Sequence, residues 1–175
     1  MILQDIMETH IMTNLAIWCE LNQNWRNNMI KKYKAFLKDE KRTVDVDVIF
    51  FETEVVKVTD NNFYQFEDII LMQSTGLHDD TNFKDLSEKE QEEWLESGKS
   101  ADEWQGREIF EGDIVEIIYD WKPFTGVVVY DLEETDFKAT NNHEDYGNNF
   151  QYLTVGESIE VIGNVHQHPE LLEDV

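Results

Sequence analysis

The sequence predicts an α+β domain: a small β barrel, preceded by a long N-terminal helix and interrupted by an acidic helical insertion. Three observations carry this expectation. Apolar residues at Leu3, Met7, Ile11, Leu15, Trp18, Trp25 and Met29 recur at steps of three, four and seven, which keeps one helical face apolar from residue 2 to about residue 30. Beyond residue 43, short runs of alternating apolar and polar residues separated by turn signals take over, as in a small barrel. Between residues 78 and 105, Ser87 followed three residues later by Glu90 forms a capping box at the head of an acidic segment.

Charge is the second strong signal. The 175 residues include 38 acidic and 14 basic side chains, a net of -24. The surplus is uneven: residues 1–43 carry 5 acidic and 7 basic residues, and residues 44–175 carry 33 and 7. This divides the chain into an N-terminal helical segment, 1–43, and a β domain, 44–175, holding the insertion 78–105. So large a negative field repels phosphate, so direct binding of DNA or RNA is not expected, whereas a partner with a basic groove suits it. A hydrophobic share of 41% supplies a core. The single cysteine, Cys19, allows no intrachain disulfide and suits a reducing cytoplasm. No run is long and apolar enough to cross a bilayer, and Asp5 and Glu8 stand where a signal peptide carries Lys or Arg. A cytoplasmic protein is expected.

The apolar stripe of the first helix suits packing on its own domain or a dimer seam centred on Leu15, Trp18 and Trp25. Cys19 on that stripe reads as a small hydrophobe. The basic residues Lys31, Lys32, Lys34, Lys38, Lys41 and Arg42, interleaved with Tyr33 and Phe36, read as an offset to the acidic surface and not as a nucleic-acid site.

Val44, Val46 and Val48 alternate with Asp45 and Asp47 as a strand, and Ile49–Phe51 and Val55–Val58 continue the pattern. Asp68–Gln73 reads as a strand closed by a turn at Thr75-Gly76. Glu88 to Leu95 is expected to be helical, ending near Gly98. Leu86, Trp94, Leu95 and Trp104 give the insertion a side that can dock. Gly112-Asp113 is a turn signal ahead of Ile114–Tyr119, Lys122–Thr125 is a connection, and Gly126–Tyr130 is the paired strand. Asp131 to Asn149 reads as a polar, acidic stretch, and Phe150–Leu153 and Ile159–Val165 close the barrel.

Four blocks occur in order: Leu71-Met72-Gln73-Ser74-Thr75-Gly76-Leu77, Gly106-Arg107-Glu108-Ile109-Phe110-Glu111-Gly112-Asp113-Ile114-Val115, Ile159-Glu160-Val161-Ile162-Gly163-Asn164-Val165 and Pro169-Glu170-Leu171-Leu172. Together they resemble the YopX-like family of small proteins encoded by phages and prophages, over residues 66–77 and 106–173. The resemblance implies an SH3-like β barrel and a virus in a bacterial cell, and it implies no reaction. Residues 78–105 interrupt what is a short connection in the family, and the leading helix is an addition to its pattern.

No catalytic set emerges. His166, His168 and Glu170 have alternate spacing that a metal can use, but neither histidine belongs to the recurring blocks, and no metal site is assigned. Glu111 and Asp113 sit in a turn and would serve acid–base chemistry only if one were buried with a raised pKa. No phosphate-cradling loop, nucleophile elbow or HExxH is present. The protein is expected to be a non-enzyme with no cofactor. The feature a mechanism can use is the acidic display of Asp79, Asp80, Asp85, Glu88, Glu92, Glu93, Glu96, Asp102 and Glu103. It suits competition for a Lys/Arg-lined surface of a host nuclease or CRISPR effector, that is, anti-CRISPR or anti-restriction activity by nucleic-acid mimicry. The alternative is an assembly or scaffold module that self-associates through Leu15, Trp18 and Trp25.

Overall fold

The computed structural model describes residues 32–141 and 149–172. The chain divides into two compact units, Met1–Lys32 and Tyr33–Val175. The helix expected over residues 2–30, Cys19 and the self-association residues Leu15, Trp18 and Trp25 lie outside the described residues. Among the described residues, no helix is long and apolar enough to cross a membrane.

The second unit is built from two antiparallel sheets. Its strands are β1 (Tyr33–Leu37), β2 (Arg42–Phe50), β3 (Val55–Val58), β4 (Phe63–Gln65), β5 (Ile69–His78), β6 (Glu108–Phe110), β7 (Asp113–Tyr119), β8 (Lys122–Asp131), β9 (Asp136–Thr140), β10 (Phe150–Tyr152) and β11 (Ser158–Asn164). Helix α1 (Glu88–Glu96) is the one α-helix among the described residues, and short 3-10 turns sit at Phe66–Asp68, Phe83–Asp85, Ala101–Glu103 and Pro169–Leu172. The first sheet runs β4-β3-β2-β1-β5-β6 and the second β10-β9-β8-β7-β11.

Neither sheet closes on itself, so the SH3-like barrel expected from the sequence is not formed. A barrel needs its two edge strands to pair. Here β4 bonds only to β3, and β6 only to β5; each is three residues long. The α+β expectation gives way, among the described residues, to an architecture dominated by β structure with one short helix. The first sheet also takes in β1 and the start of β2, residues that charge alone groups with the N-terminal segment.

Three local expectations change for identifiable reasons. The register of β2 on β3 shifts between Val46 and Val48: Val46 lies opposite Val58, and Val48 opposite Lys57. Such a bulge flips the side chains beyond it. Val48 therefore leaves the face of Val46 and is exposed. Thr75-Gly76 does not turn the chain; β5 passes through it as an irregularity between Ser74 and His78. There Ser74 Oγ accepts from Gly76 N at 3.0 Å, and Thr75 Oγ1 accepts from Leu77 N at 3.1 Å. Lys122–Thr125 is no connection, because β7 and β8 pair down to Tyr119 opposite Lys122 and the turn is Asp120-Trp121. Within the acidic stretch after Asp131, Asp136–Thr140 is strand β9, paired with β8.

Each sheet has its own core. Ala35, Leu37, Val56, Val58 and Ile69 are buried in the first, and Val115, Ile117, Val128, Ala139, Leu153 and Ile159 with Ile109 in the second. Full burial of an aliphatic side chain of this size contributes about 1.5–3 kcal/mol. Between them Phe36, Met72 and Phe110 form a small apolar joint, with the His166 ring stacked on Phe36 at 5.2 Å.

The basic residues around β1 are spent internally. Arg42 donates to Glu40 (2.6 Å) and Asp60 (3.3 Å), Lys38 donates to the Glu67 carbonyl (2.6 Å), and the Lys34 ammonium lies 4.3 Å from the Phe110 ring centre.

Lys138 ties β9 to its neighbours. Its buried ammonium donates to Asp131 (2.8 Å), pairs with Glu134 (3.1 Å) and lies 4.3 Å from the Phe150 ring centre. Hydrogen bonding to Asp131, then to Glu134, pushes the amine up to about 12. The Asp131 carboxyl is held below its ordinary value chiefly by Lys138, and that of Glu134 by Tyr152 and then Lys138. A carboxyl lowered in the folded state stabilises the fold above the ordinary carboxylate range, near pH 4, and loses that contribution as pH falls through the folded value. Lys138→Met should therefore flatten the acid limb of stability. Thermal unfolding at pH 7 and pH 3 should differ less in the variant than in the wild type; equal losses would remove this role from the cluster. At the alkaline end, the lysine's own contribution is complete below about pH 10.5 and is lost as pH rises through about 12.

A candidate protein-docking surface on the acidic insertion

The insertion is held at its root by Asp79, whose carboxylate is buried. Oδ1 accepts from Thr81 N (3.1 Å) and Arg107 N (2.7 Å). Oδ2 accepts from the Thr81 hydroxyl (2.8 Å) and Val161 N (3.1 Å), and Arg107 Nη1 lies 3.9 Å away. The next residue continues the arrangement. Asp80 N donates to Ile159 O (2.9 Å), and Asp80 Oδ2 accepts from Ile159 N (2.8 Å). These two aspartates satisfy backbone groups on the outer edge of β11, where a further strand would otherwise bond. Gly106 makes the fit possible. It has φ +100°, and a Cβ there would sit 1.8 Å from the Asp79 carbonyl oxygen.

From this root the insertion folds back as a docked unit. The Trp104 indole donates to Thr81 O (2.7 Å), and its ring meets Trp94 edge-on at 4.9 Å and Phe83 at 6.3 Å. Trp94 Nε1 donates to Ser100 O (2.8 Å), and Lys99 lies 4.1 Å from the Trp94 ring centre. Ser87 caps α1: its hydroxyl accepts from Glu90 N, and Glu90 Oε2 accepts in turn from Ser87 N (2.9 Å). The other Glu90 oxygen accepts from Arg107 Nε at 3.2 Å. The Ser87 hydroxyl also donates to Glu90 Oε2 (2.6 Å), and these bonds, that one first, hold the Glu90 carboxyl below its usual value.

At 100° per residue, half-buried Glu90, Gln91 and Trp94 define the inner face of α1. Glu88, Glu92 and Glu96 fall on the opposite side as a ridge at four-residue spacing, all exposed. Glu93 stands beside them, paired loosely with exposed Lys89 at 3.6 Å. Such a surface pair contributes little. Five glutamates and one lysine give α1 a net charge of -4 over nine residues, about 13.5 Å. Glu90 is turned inward onto Arg107, so the outward face carries four glutamates and Lys89, about one net charge per 4.5 Å, sparser than a single nucleic-acid strand.

The nine acidic residues singled out from the sequence therefore do different jobs. Glu88, Glu92, Glu93, Glu96 and Asp102 are displayed. Asp79 is buried and Asp80 spans to β11, so both serve the fold. Asp85 accepts from Asn82 Nδ2 (3.1 Å). Glu103 accepts from Ser100 N (2.7 Å), which together with the Ser100 hydroxyl keeps its carboxyl low. Asp80 and Asp102, with Lys84, Phe83 and Trp104, line an open cleft of about 670 Å³. Sequence reasoning finds Glu90 in the capping box and Trp104 on the docking side, but misses Arg107 and the bond by which Glu90 meets it. The signals available were Asp79-Asp80-Thr81, a pattern for an Asx turn, and the Gly106-Arg107 pair.

The other sequence candidates are structural. Asp113 Oδ2 accepts from Phe110 N (2.8 Å) and Oδ1 from Asn164 Nδ2 (3.1 Å), closing the turn into β7. Burial raises its pKa, with the Asn164 and Phe110 bonds acting against that rise. His166 packs on Phe36, and burial lowers its pKa. His168 Nδ1 accepts from Asn164 N at 3.3 Å. Among the described residues no group of His, Cys, Asp and Glu is placed to hold a metal ion.

Fold and surface together define an antiparallel two-sheet protein that projects a charged helical insertion. Residues 98–173 match the family described as YopX protein, in line with the YopX-like resemblance that the sequence blocks carry. Among solved structures, protein EF1440 from Enterococcus faecalis is 22% identical, with 82% of this chain and 99% of that chain covered and a TM-score of 0.49. YopX from Bacillus subtilis is 19% identical, with 83% and 99% covered and a TM-score of 0.44. No curated protein matches the chain.

Asp79→Ala leaves Arg107 N, Val161 N and Thr81 N without their acceptor. It should destabilise the fold by about 3 kcal/mol in urea unfolding. Glu92→Ala, on the outer ridge, should stay within about 0.5 kcal/mol of the wild type. Similar costs for the two would show that Asp79 is not the anchor.

Proposed function

We propose that this protein is a phage-encoded acidic interaction protein that inhibits a host defence nuclease, of the CRISPR or restriction type, by occupying its basic nucleic-acid-binding surface in the bacterial cytoplasm. The observation that carries this reading is the outward ridge Glu88, Glu92 and Glu96 on a helix whose inner face is locked by Glu90, Trp94 and Arg107. A rigid array loses little entropy on binding, and its field steers a basic partner from a distance. The phage link rests on the YopX-like resemblance, and the repulsion of phosphate on the net charge of -24. No catalytic step is assigned to the chain.

The attraction between such surfaces falls with salt, since the screening length is about 8 Å at physiological ionic strength. A self-assembling module working through Leu15, Trp18 and Trp25 would instead give salt-resistant, apolar association. Immobilised protein should retain a basic nuclease or effector from bacterial host lysate at low salt and release it at moderate salt, and the purified target should lose activity when the protein is added. The combined variant Glu88→Lys, Glu92→Lys, Glu93→Lys and Glu96→Lys should abolish binding and leave the melting temperature within a few degrees, because none of the four anchors the helix. Unchanged binding by the folded variant would end the role of this ridge.

A further inference from the structure

The hairpin joining β7 and β8 carries a feature that folding does not explain. Its two turn residues, Asp120 and Trp121, have φ of +50° and +61°. A two-residue hairpin turn of this kind demands positive φ at both positions and favours Asn-Gly or Asp-Gly. Aspartate tolerates that region, but a bulky residue there is a true outlier. Left-handed backbone costs an ordinary residue about 1–2 kcal/mol, and glycine would avoid the cost.

The tryptophan does not recover this through packing. It is 84% exposed, the largest exposure among the large hydrophobic residues described. Neither a ring contact nor a hydrogen bond ties it to another described residue. Tyr119, beside it on β7, is 48% exposed. Strain and exposed aromatic surface kept together point to use in binding.

The register places this tip near the acidic insertion. Asp80 bonds to Ile159, Ile159 lies opposite Ile117, and Trp121 is four residues beyond Ile117, about 13 Å along the strand. Exposed Asp120 and Glu157 flank the tip, Glu157 N donating to Ile118 O at 2.7 Å. The tip thus adds one protruding, flat aromatic ring, flanked by Asp120 and Glu157, to a chain that displays carboxylates on α1. Grooves that bind single-stranded nucleic acid combine Lys and Arg along the backbone path with aromatic or guanidinium platforms on which bases stack.

We infer that Trp121, presented at the β7–β8 turn, inserts into a basic, aromatic-lined groove of the partner protein in the place where a base of single-stranded nucleic acid would stack. The inference rests on the function proposed above and narrows its partner to a single-strand-binding groove. Base–aromatic stacking contributes substantially to such grooves, so one ring there has a measurable effect.

The test uses the full chain. Proteins retained from host lysate are eluted with the oligonucleotide dT20 or with a 20-base-pair duplex, and the eluted protein is purified and titrated with wild type, Trp121→Ala, Trp121→Phe and the triple variant Glu88→Lys, Glu92→Lys, Glu96→Lys. The expected result is elution by dT20 at lower concentration than by duplex, with affinity at least tenfold weaker for Trp121→Ala at an unchanged salt dependence. Trp121→Phe should regain most of the loss, and the triple variant should weaken binding with a shallower salt dependence. Trp121→Gly should melt no lower than the wild type, which a structural tryptophan would not allow. Trp121→Ala binding within twofold of wild type, or duplex eluting as well as dT20, overturns the inference. If the triple variant still loses binding in that case, the acidic-ridge reading stands without it; if the wild type retains nothing, both fall.

Discussion

One buried carboxylate organises the β unit. Asp79 gathers two donors from Thr81, the Arg107 amide and the Val161 amide, and so joins the exit of β5, the entry to β6 and the edge of β11. An ionised carboxylate taken out of water is costly unless its lone pairs are filled. Filling them here requires three chain segments distant in sequence to be in place at once. The requirement reaches Gly106 as well, since any side chain there would strike the Asp79 carbonyl. The insertion begins at this carboxylate and ends at the arginine beside it, so the position of α1 follows from the same interaction.

The acidic surplus is divided between two uses. Some carboxylates bond to backbone amides or to cations and hold the fold: Asp79 and Asp80 at the edge of β11, Glu90 on Arg107, Asp113 at the entry to β7, Asp131 and Glu134 on Lys138. Others, chiefly Glu88, Glu92, Glu96 and Asp102, meet only solvent and loosely held neighbours. The first group is stabilised locally, by amide donors at Asp80 and Asp113 and by a cation as well at Asp79, Glu90, Asp131 and Glu134. The second group is left to generate the external field.

A display is useful only if it is rigid. The ridge stands on a helix closed by a capping box and clamped by the Trp94–Trp104 contact. Groups fixed before binding lose less entropy when they bind.

The sequence by itself determined the local features. The capping box Ser87–Glu90 and the helix it starts, the strands from Ile114 to Tyr119 and Ile159 to Asn164, the docked character of the insertion and the YopX-like character of the C-terminal part are all legible there. Each is set by neighbours a few residues apart or by a recurring pattern. Tertiary structure alone decided whether the sheets close, which face Val48 takes, and which carboxylates are buried. Closure depends on whether β4 and β6 find further partners, and the placement of Val48 on a bulge between Val46 and Val48. Asp79 and Glu92 look alike in sequence. One meets Val161 across 82 residues and the other meets water, and only the packing of distant segments separates them.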